Sequence, residues 1–133
     1  HPADDCGYFA RGIIQQNLNA VTAACMLTKK EVYEKVNGFE EKLAVAFNDI
    51  DLCLKVRKAG YLIVYDSEAL LYHHKSISRG KEDTLEKRNR FEGEVDYMAK
   101  KWKDVLEKGD EYYNPNLSLL SGNFELKKES EMQ

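Results

Sequence analysis

Two aspartates, Asp49 and Asp51, stand two residues apart in Phe47-Asn48-Asp49-Ile50-Asp51-Leu52-Cys53-Leu54, where a polar turn gives way to an apolar helix. A carboxylate fixed at a helix entrance can serve as a general base that takes the proton of an attacking hydroxyl. It can equally be a plain cap, satisfying the free N–H groups and the dipole of the first turn. Both readings are open for Asp49, and Asp51 also has the spacing of an ordinary i,i+4 pair with Lys55. A second set of chemistry-bearing residues lies in His73-His74-Lys75-Ser76-Ile77-Ser78-Arg79-Gly80. Adjacent histidines at the end of a strand point to opposite faces, so at most one can reach a site beside Asp49. A lone histidine serves as a structural residue or as a metal ligand. The hydroxyls of Ser76 and Ser78 and the guanidinium of Arg79 suit a phosphate.

The elements that must position these groups follow from apolar spacing. The aspartates belong to a helix expected from Ile50 to Ala59 and stopped by Gly60, which takes a left-handed conformation without a Cβ clash. Its apolar residues leave one polar stripe, Asp51, Lys55 and Lys58, so most of its sides should be packed and Asp49 held at the rim of a core. Upstream, Val21 to Leu27 reads as a short buried strand whose Ala23-Ala24 pair is small enough to admit a backbone or a ligand. Thr28 to Glu31 fits a capping box for a helix reaching Val36, with Val32, Tyr33 and Val36 inward. Asn37-Gly38 should end that helix, Phe39 should return to the core, and Leu43 to Phe47 should be a brief apolar connection.

Downstream, Tyr61 to Tyr65 reads as a strand, Asp66-Ser67-Glu68 as a turn and Ala69 to His73 as a second strand. The polar stretch His74 to Asp83 is a candidate lid or binding loop. A long amphipathic helix is expected from Thr84 to Lys108, with Phe91, Val95, Met98, Trp102 and Val105 as its packed stripe and Gly109 as its stop. Tyr112 to Leu117 should be extended around Pro115. Residues 1–18 read as an irregular lead-in, 19–120 as the folded unit and 121–133 as a charged tail frayed at Lys127 to Gln133.

Bulk properties narrow the classes. The 133 residues carry 43% hydrophobic and 32% charged side chains, a net charge of −3 and a pI near 5.7. That balance argues against a general nucleic-acid or anionic-membrane binder. No apolar run approaches the ~18 residues of a membrane span. The chain opens His1-Pro2-Ala3 without methionine, which suggests a piece of a longer protein. Cys25 and Cys53 fall in apolar segments and should be small core residues. Together with Cys6 they form no C-x-x-C motif, and a reducing, cytoplasmic setting is expected.

The segments AVTAACMLTKKEVYEKVNGFEE and FNDIDLCLKVRKAGYLIVYDSEALLYHHKSISRG resemble the C-terminal half of family 2 glycosyltransferases of the GT-A fold. The likeness is nearest to bacterial enzymes of O-antigen and surface-polysaccharide synthesis, including rhamnosyltransferase-like members, and it covers most of residues 19–120. It implies an α/β fold: the acceptor-side half of the GT-A transferase domain, a short mixed sheet with packed helices. It implies that Asp49 is the catalytic base, supported by Asn48 and Asp51, and that His73 helps hold a divalent metal, Mg or Mn. Ser78 and Arg79 would bind the donor diphosphate, and Ala23, Ala24 and Phe39 would face the acceptor. The reaction implied is an inverting transfer from a nucleoside-diphosphate sugar to an oligosaccharide or lipid-linked glycan. It would take place in the cytoplasm or at the inner face of the cell membrane, with room for peripheral membrane association through other parts of the protein.

The chain departs from the family pattern at Asn48, where many members have Glu, and at Ala24, Asn37, Glu40 and Lys75. No nucleotide-binding βαβ half precedes Asp49, so this chain is expected to be inactive alone. Two other readings stand beside the transferase: a non-catalytic glycan-binding or interaction module, and a metal-dependent hydrolase using His73, His74 and Asp49.

Overall fold

The structure, a computed structural model, describes residues 6–72 and 84–131. Two short strands, β1 (Gln16–Leu18) and β2 (Ile63–Tyr65), and four helices, α1 (Lys30–Lys35), α2 (Asn48–Lys58), α3 (Leu85–Lys101) and α4 (Lys103–Lys108), make up a small mixed α/β arrangement. The strands pair antiparallel, Gln16 opposite Tyr65 and Leu18 opposite Ile63. The Tyr65 hydroxyl donates to the Gly12 carbonyl at 3.0 Å and ties down the approach to β1. Residues 1–18, expected to be irregular throughout, therefore contribute a paired strand. No helix among the described residues is long and apolar enough to cross a membrane.

The core forms where α1 meets α2. Val32 and Val36 pack on Leu52 and Val56, with Met26, Tyr33, Ala59 and Ile63 around them. Both helices end as the sequence predicts. Asn37 follows α1 with φ 59°, its N–H reaching Glu34 and that of Gly38 reaching Tyr33. Gly60 follows α2 with φ 90°, its N–H reaching Arg57 and that of Tyr61 reaching Val56. In each, paired bonds satisfy carbonyls of the last turn. Gly38 is required twice over: its φ is 55°, and a Cβ there would lie 2.7 Å from the Tyr33 ring.

Several expected elements differ. Val21 to Leu27 is not a buried strand: Ala23–Cys25 form a 3-10 turn, and Leu27 is fully exposed. Thr22 Oγ1 accepts from Ala24 N, and Asp49 takes the N–H of Ala23, so local side chains bend the backbone that an apolar run would extend. Cys25 is accordingly exposed, while Cys53 is buried as expected, its thiol directed to the Val21 carbonyl and pushed up in pKa by burial. α1 is capped by Lys29 without a side-chain bond, so Thr28 and Glu31 make no capping box. Ala69 to Tyr72 form no strand, and Leu70, Leu71 and Tyr72 are exposed. The stretch Tyr112 to Leu117 turns rather than extends, with Leu117 buried and bridged to Leu126. The tail is held as well: the Ser118 hydroxyl donates to Glu131, and Lys127 N reaches Asn116.

The largest difference concerns Asp51. Instead of lining a solvated stripe, it is 0% exposed. Its Oδ1 accepts from the Trp102 indole at 2.8 Å and lies 2.8 Å from Lys101 Nζ. Its Oδ2 faces Lys55 Nζ at 3.3 Å without hydrogen-bond alignment. To deliver both partners, the predicted long helix breaks: Trp102 leaves helical geometry at φ −115°, ψ 25°, dividing α3 from α4. The apolar stripe of α3 is consequently half open, with Phe91 and Val95 exposed while Trp102 and Glu94 are buried. Removing one member of a buried charged pair strands the other. Asp51→Ala should therefore lower stability by about 3–5 kcal/mol, whereas Trp102→Phe, losing chiefly one hydrogen bond, should cost about 1–3 kcal/mol; denaturant titration of both variants would check the order.

Candidate active site

α2 begins two residues earlier than its apolar run suggests, at Asn48, because Phe47 closes the first turn from a left-handed conformation (φ 63°, ψ 2°) and accepts the Asp51 N–H at 2.8 Å. A bulky aromatic residue in that region carries strain of about 1–3 kcal/mol. Two contacts from α3 hold it there. Glu94, 4% exposed, accepts from the Val45 and Ala46 amides at 3.1 and 2.8 Å. The Phe91 ring packs on that of Phe47 with centroids 5.5 Å apart. The sequence reading missed Glu94, although its spacing from Phe91 and Met98 places a carboxylate within an otherwise apolar stripe.

Asp49 thus lies inside the first turn and is not the cap. Its Oδ1 accepts from Ile50 N at 2.9 Å and its Oδ2 from Ala23 N at 3.0 Å. A carboxylate offers about four lone-pair positions, so the half-buried Asp49 keeps acceptor capacity after these two bonds. Ala23 also lines a cleft of about 310 Å³ with Met26, Tyr33, Phe39 and Leu52. Of the residues singled out in the sequence, Ala23 and Phe39 line this cleft and Ala24 follows Ala23 in the chain, while Asp49 is linked to it through its bond to the Ala23 amide. Phe39 does not return to the core: it is 46% exposed, its ring edge-on to Tyr33 at 5.8 Å. Its N–H donates to the Tyr33 hydroxyl at 3.3 Å. Asn48 stands beside Asp49 at the start of α2, and Asp51 is turned inward.

The other predicted site residues, His73, His74, Ser78 and Arg79, and the candidate loop His74 to Asp83, lie outside the described residues. Among the described residues no three His, Cys, Asp or Glu side chains converge on a metal position. In particular, Asp49-Ile50-Asp51 is not a chelating pair, since Asp51 is engaged by Trp102 and Lys101.

Glu40 joins the support behind the site. Its Oε2 accepts from Lys101 Nζ at 2.9 Å and from the Tyr97 hydroxyl at 2.7 Å. The Lys101 bond, helped by Tyr97, holds the Glu40 carboxyl down at about 2 against an ordinary 4.5. The same contact raises the Tyr97 phenol. For Lys101, burial acts to lower the pKa, but its bonds to Asp51 and Glu40 outweigh it and the net shift is upward.

In comparisons with known proteins, 127 residues, 95% of the chain, are 54% identical to an uncharacterized protein, y4gI, of Sinorhizobium fredii, and cover 14% of that protein. A stretch of 117 residues, 87% of the chain, is 32% identical to the O-antigen biosynthesis protein RfbC of Myxococcus xanthus and covers 9% of it. A shorter stretch of 62 residues, 47% of the chain, is 34% identical to an N-acetylglucosaminyl-diphospho-decaprenol L-rhamnosyltransferase of Mycobacterium tuberculosis and covers 20% of it. The chain thus spans a small fraction of the curated relatives it matches, and the named ones support a glycosyltransferase-like relationship. No family profile and no solved structure matches the chain.

The depressed Glu40 carboxyl carries a pH signature. A group whose folded pKa lies below its unfolded value adds stability that is complete above the unfolded value and disappears as pH falls through the folded one. Stability from this contact should be intact above about 4.5 and drain away toward about 2. Denaturant midpoints across that range should fall less steeply for Glu40→Gln than for the unaltered protein, and the two should meet at the acid end.

Proposed function

We propose that this chain is the acceptor-side part of an inverting family 2 glycosyltransferase of the GT-A fold, acting in bacterial cell-surface polysaccharide synthesis. The observation that carries the reading is the placement of Asp49. Two backbone amides hold its carboxylate at the start of a buried helix, and one of them belongs to Ala23, which lines the cleft walled by Tyr33 and Phe39. The names of the relatives in O-antigen and rhamnosyl transfer point the same way.

In this reading a glycan acceptor, free or lipid-linked, lays the C–H face of a sugar against Phe39 beside Ala23 and Ala24. Asp49 accepts the proton of the acceptor hydroxyl as its oxygen bonds to the anomeric carbon. The bond from that carbon to the diphosphate breaks on the opposite face, its electron pair leaving with the nucleoside diphosphate. Asn48 flanks the base, and Asp51 positions it by anchoring α2. Ser78 and Arg79 bind the donor diphosphate. A divalent cation, Mg or Mn, held in part by His73, supplies neutralisation of the leaving group when bound.

The donor half would come from elsewhere in a longer polypeptide. Leu62, just before β2, and Leu70 and Leu71, after the turn that follows it, each expose more than 60% of their surface, as expected where a further layer belongs. The cytoplasm, or the inner face of the cell membrane, is the setting in which nucleotide-sugar donors would reach this site.

The test is Asp49→Asn in the intact enzyme. Loss of a positioned general base typically removes about 10²–10⁴-fold in rate, so turnover should fall at least about 10²-fold while donor affinity, read by calorimetry, is kept. Near-normal turnover would eliminate the role.

A further inference from the structure

A second cleft, of about 390 Å³, lies against α2 on the side away from Asp49. At 3.6 residues per turn, Leu54, Arg57 and Lys58 face roughly opposite to Leu52 and Val56, which point into the α1 core. The cleft runs between α2 and α4. Its floor is apolar, made by Leu54, Trp102 and Val105, and its rim carries Asn19, Lys58, Asp104, Lys108 and the paired Arg57 and Glu111. Its size falls in the range of small-ligand pockets, about 300–1,000 Å³.

The charges around this cleft are unevenly committed. The Arg57 guanidinium is engaged, bonded to Glu111, reaching the Leu18 carbonyl at 3.4 Å and lying 4.9 Å from the Tyr112 ring centroid. Lys101 is spent on Asp51 and Glu40. Lys58 sits 5.9 Å from the Trp102 ring centroid. Among the described residues, neither Lys58 nor Lys108 has a carboxylate within ion-pair distance, and neither has Asp104 a cation. Among the described residues, two ammonium groups without an ion-pair partner thus flank an apolar floor, with Asp104 and Glu111 on the same rim. The Trp102 ring below them is fixed by its bond to Asp51.

We propose that this cleft binds an anionic saccharide, a hexopyranose unit bearing a carboxylate or a phosphate ester. Lys58 and Lys108 meet the anion, the C–H face of the ring covers Leu54 and Val105, and the Asp104 carboxylate accepts from a ring hydroxyl. The mixed rim selects this class over the simpler ones. A site for a bare anion gains nothing from two carboxylates beside its cations, and a peptide docking by strand addition needs an open strand edge, which neither α2 nor α4 offers. The inference does not depend on the role of Asp49, which faces the other side of α2.

The experiment uses the intact protein that carries this chain and measures binding of trigalacturonate and glucose 6-phosphate by calorimetry. Maltotriose, inorganic phosphate and a triglutamate peptide serve as comparators. At least one of the anionic sugars should bind saturably, and the double variant Lys58→Gln, Lys108→Gln should weaken it by at least about tenfold, as expected for losing two charge-assisted contacts. Maltotriose should bind correspondingly less well. A salt titration of the unaltered protein reads the same contacts without any substitution, since exposed charges are screened within about 10 Å at 0.1 M salt. The proposal is overturned if neither anionic sugar binds, or if binding is unchanged by salt and by the double variant. It is equally overturned if phosphate or triglutamate binds as tightly as the sugars.

Discussion

Everything else in this structure leans on the burial of one charge. Asp51 is wholly removed from solvent, and an isolated buried carboxylate costs several kcal/mol, a cost offset only by well-placed opposite charge and hydrogen-bond donors. Those partners come from the end of α3 and from the break that follows it. α2 therefore cannot bury its polar face until Lys101 and Trp102 have arrived, which couples the docking of α2 to that of α3. The break at Trp102 has the same origin. Consecutive residues of a regular helix point about 100° apart, yet Lys101 and Trp102 both reach Oδ1 of one carboxylate. Departure from helical geometry at Trp102 brings them together, and Glu40 and Tyr97 complete the shell around Lys101.

A second buried carboxylate sets the position of the site. Glu94 accepts from two successive backbone amides just ahead of α2. This fixes the chain where Phe47 must turn through a left-handed conformation to start the helix. The strain at Phe47 is sustained because α3 holds both sides of it, the backbone through Glu94 and the ring through Phe91. Asp49 inherits its place from that turn. α3 thus acts on the candidate base twice without touching it, once through the amides before α2 and once through Asp51 after its first turn.

What the sequence made legible was largely local. The ends of α1 and α2 follow from Asn37-Gly38 and Gly60, the turn at Asp66 to Glu68 from its Asx chemistry, and the start of α3 from Thr84, whose hydroxyl accepts from Lys87 N. Of the site residues singled out, Ala23 and Phe39 line one cleft, and Asp49 is bonded to Ala23. What failed depends on partners remote in sequence. Asp51 reads as a surface residue because Lys55 is its nearest cation, while its stronger partners lie some fifty positions away. Val21 to Leu27 reads as a strand because periodicity sees apolar residues but not the carboxylate of Asp49, which takes an N–H that a ladder would have used. Glu94 reads as solvated because a charge on an amphipathic helix ordinarily faces water, whereas its partners are backbone amides nearly fifty positions away.

Geometry separates the two aspartates of the motif. Residues two apart on a helix lie about 200° apart around its axis and cannot face the same ligand. A D-x-D spelling in an extended loop could close on one cation; inside the first turn of α2 it divides instead into an inward and an outward carboxylate. The inward one is consumed by Trp102 and Lys101. The outward one is steadied by two backbone amides and retains free acceptor positions. The motif's spacing therefore matters because it separates the two groups: one carboxylate fixes the helix, which leaves the other held in a fixed direction with acceptor positions still free.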